Sequence, residues 1–326
     1  MSTQITIIGL GQIGASVGLA LGKYGKDFLR IGVDTEAAPS KQAKKLGAVD
    51  KLALNLPSSV RKADVVLLAL PIDQVRNTFE LIAEDVKENA IILDTSPVRS
   101  VPTQWATDLL SENCHYVGFT PMLNPQYLHE IEGQAHPDLF YDGLIAVTVP
   151  PGRGSIGLDV GSKFAELLGA TPLFCDIQEV DSHMAALHVL PQLLAGTLST
   201  VTTNRPGWQD GRKFAGRPYA LASSPIDKQD SPAGLASAVV MNKVDTLRIL
   251  DGIIAALKDI RAFIEQEDTE PLEEMLAEAR EGRQQWWADR GTARWSREGL
   301  PVIDPELTKY KPFGRWLPER KKPEKD

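Results

Sequence analysis

The chain has 326 residues, with 35 Lys plus Arg against 43 Asp plus Glu and a net charge of −8. At 43% hydrophobic residues it is long enough for roughly two domains of about 150 residues, which excludes a miniature fold stapled by disulfides or metal. The acidic balance provides no electrostatic pull toward nucleic acid or anionic membrane, so a small-molecule partner is expected.

Short β-branched runs open the chain and alternate with stretches of helical composition, the rhythm of a parallel sheet with crossover helices. Strands are predicted at Gln4 to Ile8, Leu29 to Val33, Val65 to Ala69, Ala90 to Leu93, Tyr116 to Gly118, Leu144 to Val149 and Thr171 to Phe174. Helices are predicted at Gly14 to Lys23, Ser40 to Leu46, Asp73 to Glu84 and Gly154 to Leu168. This half, residues 1–178, reads as an α/β domain; a glycine fingerprint after its first strand would make it a Rossmann-type dinucleotide-binding domain.

Its first strand runs into Gly9, Gly11 and Gly14, a GxGxxG directly ahead of a predicted helix. The first glycine makes the tight turn, the second leaves room for a pyrophosphate, and the third lets helix and strand pack closely. Gln12 and Ile13 open the helix whose N-terminus would face the phosphates. Asp34 ends the second strand, where a carboxylate accepts the adenosine ribose hydroxyls and repels the extra phosphate of NADP, so NAD is the expected cofactor. Leu70 and Pro71, in the ALPI that follows the third strand, are expected to line the same groove.

From Glu179 the β-branched runs give way to helical patterns at Val180 to Leu198, Pro232 to Glu267 and Glu270 to Asp289. Residues 179–290 are expected to form an all-helical domain, with an apolar stripe along Leu235 to Phe263 suited to a core or to a partner subunit. Arg205 to Gln229 reads as an ordered, irregular loop. Residues 291–326 combine five prolines with Trp295, Tyr310, Phe313 and Trp316, and read as an extended arm. Cys114 and Cys175 lack metal-ligand or CxxC spacing and read as reduced, buried thiols of a cytoplasmic protein. Neither a membrane span nor a metal site is expected.

With these motifs in place, the chain resembles the prephenate and arogenate dehydrogenase family. The resemblance rests on GLGQIGASVGLAL (Gly9 to Leu21), ADVVLLALP (Ala63 to Pro71), ILDTSPVRS (Ile92 to Ser100), VGFTPMLNP (Val117 to Pro125) and DSHMAALHVLPQLLA (Asp181 to Ala195). It implies an NAD(P)-dependent enzyme that oxidatively decarboxylates a carboxylate substrate in tyrosine biosynthesis and forms a homodimer through its helical domain.

Three motifs depart from the family pattern. Thr120 stands where the family's GGHP has its proton-accepting histidine, and a threonine hydroxyl positions an oxygen but does not titrate near neutrality. Ser96 lies one residue from the usual serine position of DxGSVK, which Pro97 occupies. In place of SHLPH, anchoring on Asp181, Ala185 and Pro191 puts His188 at the serine position, Val189 at the first histidine and Gln192 at the second. In a regular helix His188 is then turned about 100° from the usual direction; it either faces the cleft from there or packs in a core or interface.

Arg217 is the candidate cation for a substrate carboxylate, since a guanidinium binds one through two hydrogen bonds. Arg212 is its neighbour in the same segment, and Asn242 with Lys243 matches a family NK or NR pair. Two other readings stay open: a dehydrogenase of this fold acting on a different hydroxy or amino acid, and a non-catalytic NAD-binding dimer.

Overall fold

The computed structural model describes residues 2–130, 133–152, 154–228 and 230–292. The expected arm falls outside the described residues apart from its first two positions. In the first half the chain forms β1 (Thr3–Ile8), α1 (Gln12–Gly22), β2 (Phe28–Val33), α2 (Ala37–Leu46), β3 (Lys51–Leu52), α3 (Leu56–Val60) and β4 (Val65–Leu68). It continues through α4 (Ile72–Ile82), β5 (Ile91–Asp94), α5 (Ser100–Leu109), β6 (His115–Met122), β7 (Leu144–Thr148), α6 (Gly154–Leu167) and β8 (Thr171–Phe174).

The sheet order is β3-β2-β1-β4-β5-β6-β7-β8. Its first six strands are parallel and follow the doubly wound order. The departure from an all-parallel sheet comes at β7, which pairs antiparallel with β6 and parallel with β8. Apolar periodicity reports which residues are covered and carries no information on strand direction.

Both faces of the sheet are covered, which is why its strands read as continuous apolar runs. Ile5, Ile7, Leu67, Leu93, Val117 and Phe119 pack with residues of α1 and α6 on one side. On the other, Ile8, Val66, Leu68 and Ile92 meet Val60, Phe79 and Ala106. The strand order reverses between β1 and β4, so a crevice opens at their carboxyl ends. In register, Ile8 lies beside Val33 and Leu68, Leu68 beside Asp94, and Asp94 beside Gly118. The strands therefore present Gly9, Asp34, Ala69 and Thr95 along one edge.

The helical half contains α7 (Ile177–Met184), a π-helical turn (Ala185–Val189), α8 (Leu190–Thr203), α9 (Trp208–Gly211), α10 (Arg217–Ser223) and α11 (Pro225–Lys228). After these come α12 (Pro232–Met241), α13 (Lys243–Glu265) and α14 (Glu270–Thr292). The segment expected as an irregular loop thus contains three short helices. The stretch expected as one helix from Pro232 divides at Asn242, whose backbone leaves the helical region at φ −102° and ψ 42°. Among the described residues Ile177–Thr203 is long and apolar enough to cross a membrane by length and composition alone, as core helices of globular proteins also are. Within that run the buried Asp181 and Gln192 are both engaged by protein groups.

The halves meet where Ile72 and Val98, beyond β4 and β5, pack on Val189, Leu235 and Ala238. The helical half joins the carboxyl edge of the sheet through this contact. A second contact brings α14 back onto the segment after β6, with Arg290 donating to the carbonyl of Leu123 and Trp287 lying 4.7 Å from the His129 ring.

Candidate functional site

The glycine loop is built for close backbone approaches. Gly9 has φ +89°, and a Cβ there would lie 2.2 Å from the Ala69 carbonyl oxygen, across the crevice on the β4 side. At Gly14 a Cβ would lie 1.9 Å from the Gly9 carbonyl oxygen. Gly11 differs: it is exposed, and a Cβ there would meet nothing within 4 Å. The open space at Gly11 adjoins the N-terminus of α1, whose first turn holds no acidic residue and no side-chain cap. Its backbone N–H groups and dipole are left for an anion.

Asp34 braces this loop, accepting from Leu10 N at 2.7 Å and from Glu36 N at 2.8 Å. Gln12, Ile13, Leu70 and Pro71 are half-buried around it. The cofactor residues expected from the sequence therefore come together at the crevice.

Beyond β5 lies a buried polar node. Asp94, fully enclosed, accepts from Ser96 N and Ser96 Oγ at 2.9 Å each and from the Tyr116 hydroxyl at 2.8 Å. Arg99, also fully enclosed, pairs with Asp94 at 3.3 Å and donates to the Asp94 carbonyl and to Ser96 Oγ. Burial, followed by the negative charge of Asp94, pushes the Tyr116 hydroxyl well above its ordinary range. Ser96, expected as a catalytic hydroxyl, is thus committed to Asp94 and Arg99 and 1% exposed. Its displacement by one residue turns it into the node rather than toward a ligand.

Thr120 lies on the same face of β6 as Tyr116 and Gly118, by strand alternation. Gly118 is required there: a Cβ would come within 2.7 Å of Arg99 and 2.2 Å of Thr148 Oγ1. Thr120 is 2% exposed, and its hydroxyl has no hydrogen-bond partner among the described residues. An enclosed hydroxyl with both donor and acceptor unspent is suited to hold a ligand oxygen.

Of the two histidines in the helical half, His183 lies in α7 and His188 sits in the π turn. Pro191 has no N–H to donate to the carbonyl four residues back, and the chain widens to a bond from Leu190 N to the Ala185 carbonyl. The direction inferred for His188 from a regular helix is therefore corrected, since the extra residue rotates the rest of the helix by about 100°. His188 Nε2 lies 2.6 Å from Asp230 Oδ2. Gln192, expected to touch substrate, is spent on this pair. Its amide donates to Asp230 Oδ2 at 2.9 Å and to the His188 carbonyl at 3.1 Å, and its oxygen accepts from Asp230 N at 3.1 Å. Burial pushes the Asp230 carboxyl up, but the His188 bond and charge, with the Gln192 bond, outweigh it and hold it below the ordinary carboxylate value.

Arg217 opens α10 in an exposed position, without an ion pair among the described residues. Asn242 donates from its side chain to the Asp181 carbonyl at 2.7 Å, a structural contact between α7 and the α12–α13 break. Sequence reading gives Asp230 no role and Asp181 only that of a motif anchor, because their partners lie 42 and 82 residues away and leave no local signal.

Comparison with known proteins agrees with this architecture. Residues 17–148 match the prephenate dehydrogenase nucleotide-binding domain, and residues 176–278 match the prephenate dehydrogenase dimerization domain. The chain belongs to the prephenate dehydrogenase family.

Among curated relatives, prephenate dehydrogenase of Bacillus subtilis is 25% identical over 93% of this chain and 77% of its own length. Cyclohexadienyl dehydrogenase of Zymomonas mobilis is 25% identical over 86% of this chain and 94% of its own. The fold is shared with Aquifex aeolicus prephenate dehydrogenase, solved in complex with hydroxyphenyl propionate and NAD+, at a TM-score of 0.75 and 19% identity over 87% of this chain and 98% of that one. Synechocystis arogenate dehydrogenase shares it at a TM-score of 0.66 and 20% identity, over 87% of this chain and the whole of that one. Family membership makes this chain an oxidoreductase of the dehydrogenase type, with a nucleotide-binding half and a dimerization half.

Proposed function

We propose that the chain is an NAD-dependent dehydrogenase that oxidatively decarboxylates prephenate or arogenate, in the synthesis of tyrosine, as a homodimer. One observation carries the reading: the open space at Gly11, bounded by the uncapped α1 N-terminus and by Asp34, meets the crevice between β1 and β4. These residues fit a dinucleotide. Gly11, Gln12 and Ile13 would take the pyrophosphate, Asp34 the adenosine ribose, and Leu70 and Pro71 the groove wall. The Asp34 carboxylate favours NAD over NADP because it would face the added phosphate. NAD when bound supplies the hydride acceptor.

The chain's own groups do the remainder. Thr120 holds the substrate oxygen with its unspent hydroxyl, and Arg217 pairs with a carboxylate. The two free thiols, Cys114 and Cys175, suit a reduced cytoplasmic setting. The absence of an imidazole at position 120 favours one competing reading, a dimer that binds NAD without turnover.

The deciding experiment supplies NAD or NADP with prephenate or arogenate, follows reduced nicotinamide by absorbance, and measures cofactor binding by calorimetry. Turnover with either substrate supports the proposal. Tight NAD binding without turnover on both would replace it with the non-catalytic reading or a different substrate.

A further inference from the structure

We propose that Asp230 and Gln192 are positioning residues that hold the His188 imidazole in one tautomer, making it the proton acceptor that Thr120 cannot be. This rests on the dehydrogenase reading above and adds to it the group that moves the proton. His188 Nε2 faces a carboxylate oxygen at 2.6 Å, and a carboxylate can only accept, so Nε2 carries the hydrogen. Nδ1 is left with its lone pair and has no hydrogen-bond partner among the described residues. Asp230 cannot swing away, because Gln192 bonds both its side chain and its backbone and is itself only 1% exposed.

The pair also lies beside the cofactor crevice. Val189, next to His188, packs against Ile72 at the end of the ALPI segment. Gly234, four residues from Asp230 in the first turn of α12, faces Pro71, and a Cβ there would lie 3.3 Å from Pro71 Cβ. His188 and Asp230 are 30% and 26% exposed, which leaves the imidazole accessible to a substrate.

The elements packed on the π turn are α7, α8, α12 and α13, of which α8 and α12 hold no titratable side chain. On α7 and α13 the charged groups near this junction are mostly committed elsewhere. Asp181 accepts from Arg99 N, Glu179 lies near His183, and Arg248 bonds Asp245 and Ser182. Lys243 opens α13, and Asp230 is the carboxylate in contact with the ring.

The reaction balances on this one imidazole. With NAD bound to accept the hydride as the ring C–H bond breaks, His188 Nδ1 would take the proton from the substrate hydroxyl. The bond to the departing carboxylate then breaks, and its electron pair enters the ring and ends on the oxygen. The imidazolium returns its proton there, yielding a phenol, carbon dioxide and reduced nicotinamide.

The test compares H188Q, D230N, D230E and the H188Q/D230N double variant. The readouts are kcat, KM and the pH profile with NAD and prephenate or arogenate, NAD affinity by calorimetry, and the His188 tautomer by NMR of protein carrying nitrogen-labelled histidine. H188Q is expected to lower kcat about 10²- to 10⁴-fold and to erase the acidic limb. For D230N the expectation is a fall of about 10- to 100-fold, with NAD affinity and KM held and the ring-nitrogen signals showing a mixture of tautomers in place of the Nε2–H form. D230E should restore part of the loss, and the double variant should be no slower than H188Q.

A single Nε2–H tautomer that persists in D230N, or effects of the two substitutions that multiply, would overturn the positioning role while leaving the dehydrogenase reading intact. Lack of turnover by the unmodified protein overturns the dehydrogenase reading instead. The His188–Asp230 coupling then stands or falls on whether D230N mixes the His188 tautomers.

Discussion

Three glycines of one motif do different work, and substitution by alanine separates them. A Cβ on Gly14 would lie 1.9 Å from a backbone carbonyl oxygen, so Gly14→Ala forces α1 away from β1 and should cost roughly 1–3 kcal/mol or more. Gly11 has an ordinary φ of −67° and open space, so Gly11→Ala should change stability by no more than about 1 kcal/mol. It should nevertheless weaken NAD about 10- to 100-fold, because the added methyl occupies the approach to the helix N-terminus. Thermal denaturation and calorimetry check both, and equal effects of the two substitutions would remove the pyrophosphate assignment. Asp34 needs a gentler change, since its carboxylate also accepts from Leu10 N. Asp34→Asn keeps that acceptor and removes the charge, and should shift the efficiency ratio of NADP to NAD by about 10- to 100-fold toward NADP. A ratio that stays fixed would mean that Asp34 serves the loop alone. At this scale the close approaches at Gly9 and Gly14 were legible in the sequence because local spacing sets them. The pairing of His188 with Asp230 was not, because it is made across 42 residues by two elements whose packing no short pattern records.

Among the elements, α5 shows where local reading stops. Its residues, SVPTQWATDL, contain three β-branched residues and a proline and lack a capping residue of their own. The cap comes from the other half of the molecule: Asp181 of α7 accepts from Arg99 N at 2.5 Å, from Ser100 N at 3.0 Å and from the Ser100 hydroxyl. A carboxylate at a helix N-terminus satisfies donors that would otherwise be buried unpaired and complements the helix dipole. The same explanation covers Asn242, which ends α12 with its side chain on the Asp181 carbonyl. Asp181→Ala therefore removes one cap and loosens the junction between halves. It should cost about 2–4 kcal/mol in denaturant unfolding, since two backbone donors lose their partner together. NAD affinity should hold, because Asp181 does not touch the glycine loop. A drop in NAD affinity as large as the drop in stability would show that the junction also shapes the crevice. The strands, by contrast, were read from β-branched runs, save the two-residue β3 and the last four residues of β6. Direction escaped as well, because burial of both faces looks alike in a parallel and an antiparallel pair.

For the whole molecule, the helical half leaves a row of apolar side chains uncovered in a single copy. Within α13, a helix of 23 residues, Thr246 is the buried position, while Val244, Leu247, Ile254, Leu257 and Ile264 are exposed. Their spacing alternates three and seven, which places them along one seam of the helix. Such a stripe is costly in water, and its sequence pattern was visible, although a stripe alone does not say whether a core or a second subunit covers it. The match of residues 176–278 to a dimerization domain points to a second copy. Leu257→Glu tests this at the centre of the seam. A buried leucine contributes about 1.5–3 kcal/mol, and a two-fold interface places the change in both subunits, so the dimer dissociation constant should rise about 10²- to 10⁴-fold. Sedimentation at micromolar protein should then show monomer where the unmodified chain shows dimer. Leu54→Glu is the control, a fully exposed leucine in the first half, far along the chain from this seam. Its variant should sediment as dimer. If Leu257→Glu also remains dimeric, the stripe on α13 is not the subunit contact, and the assembly must use a different face.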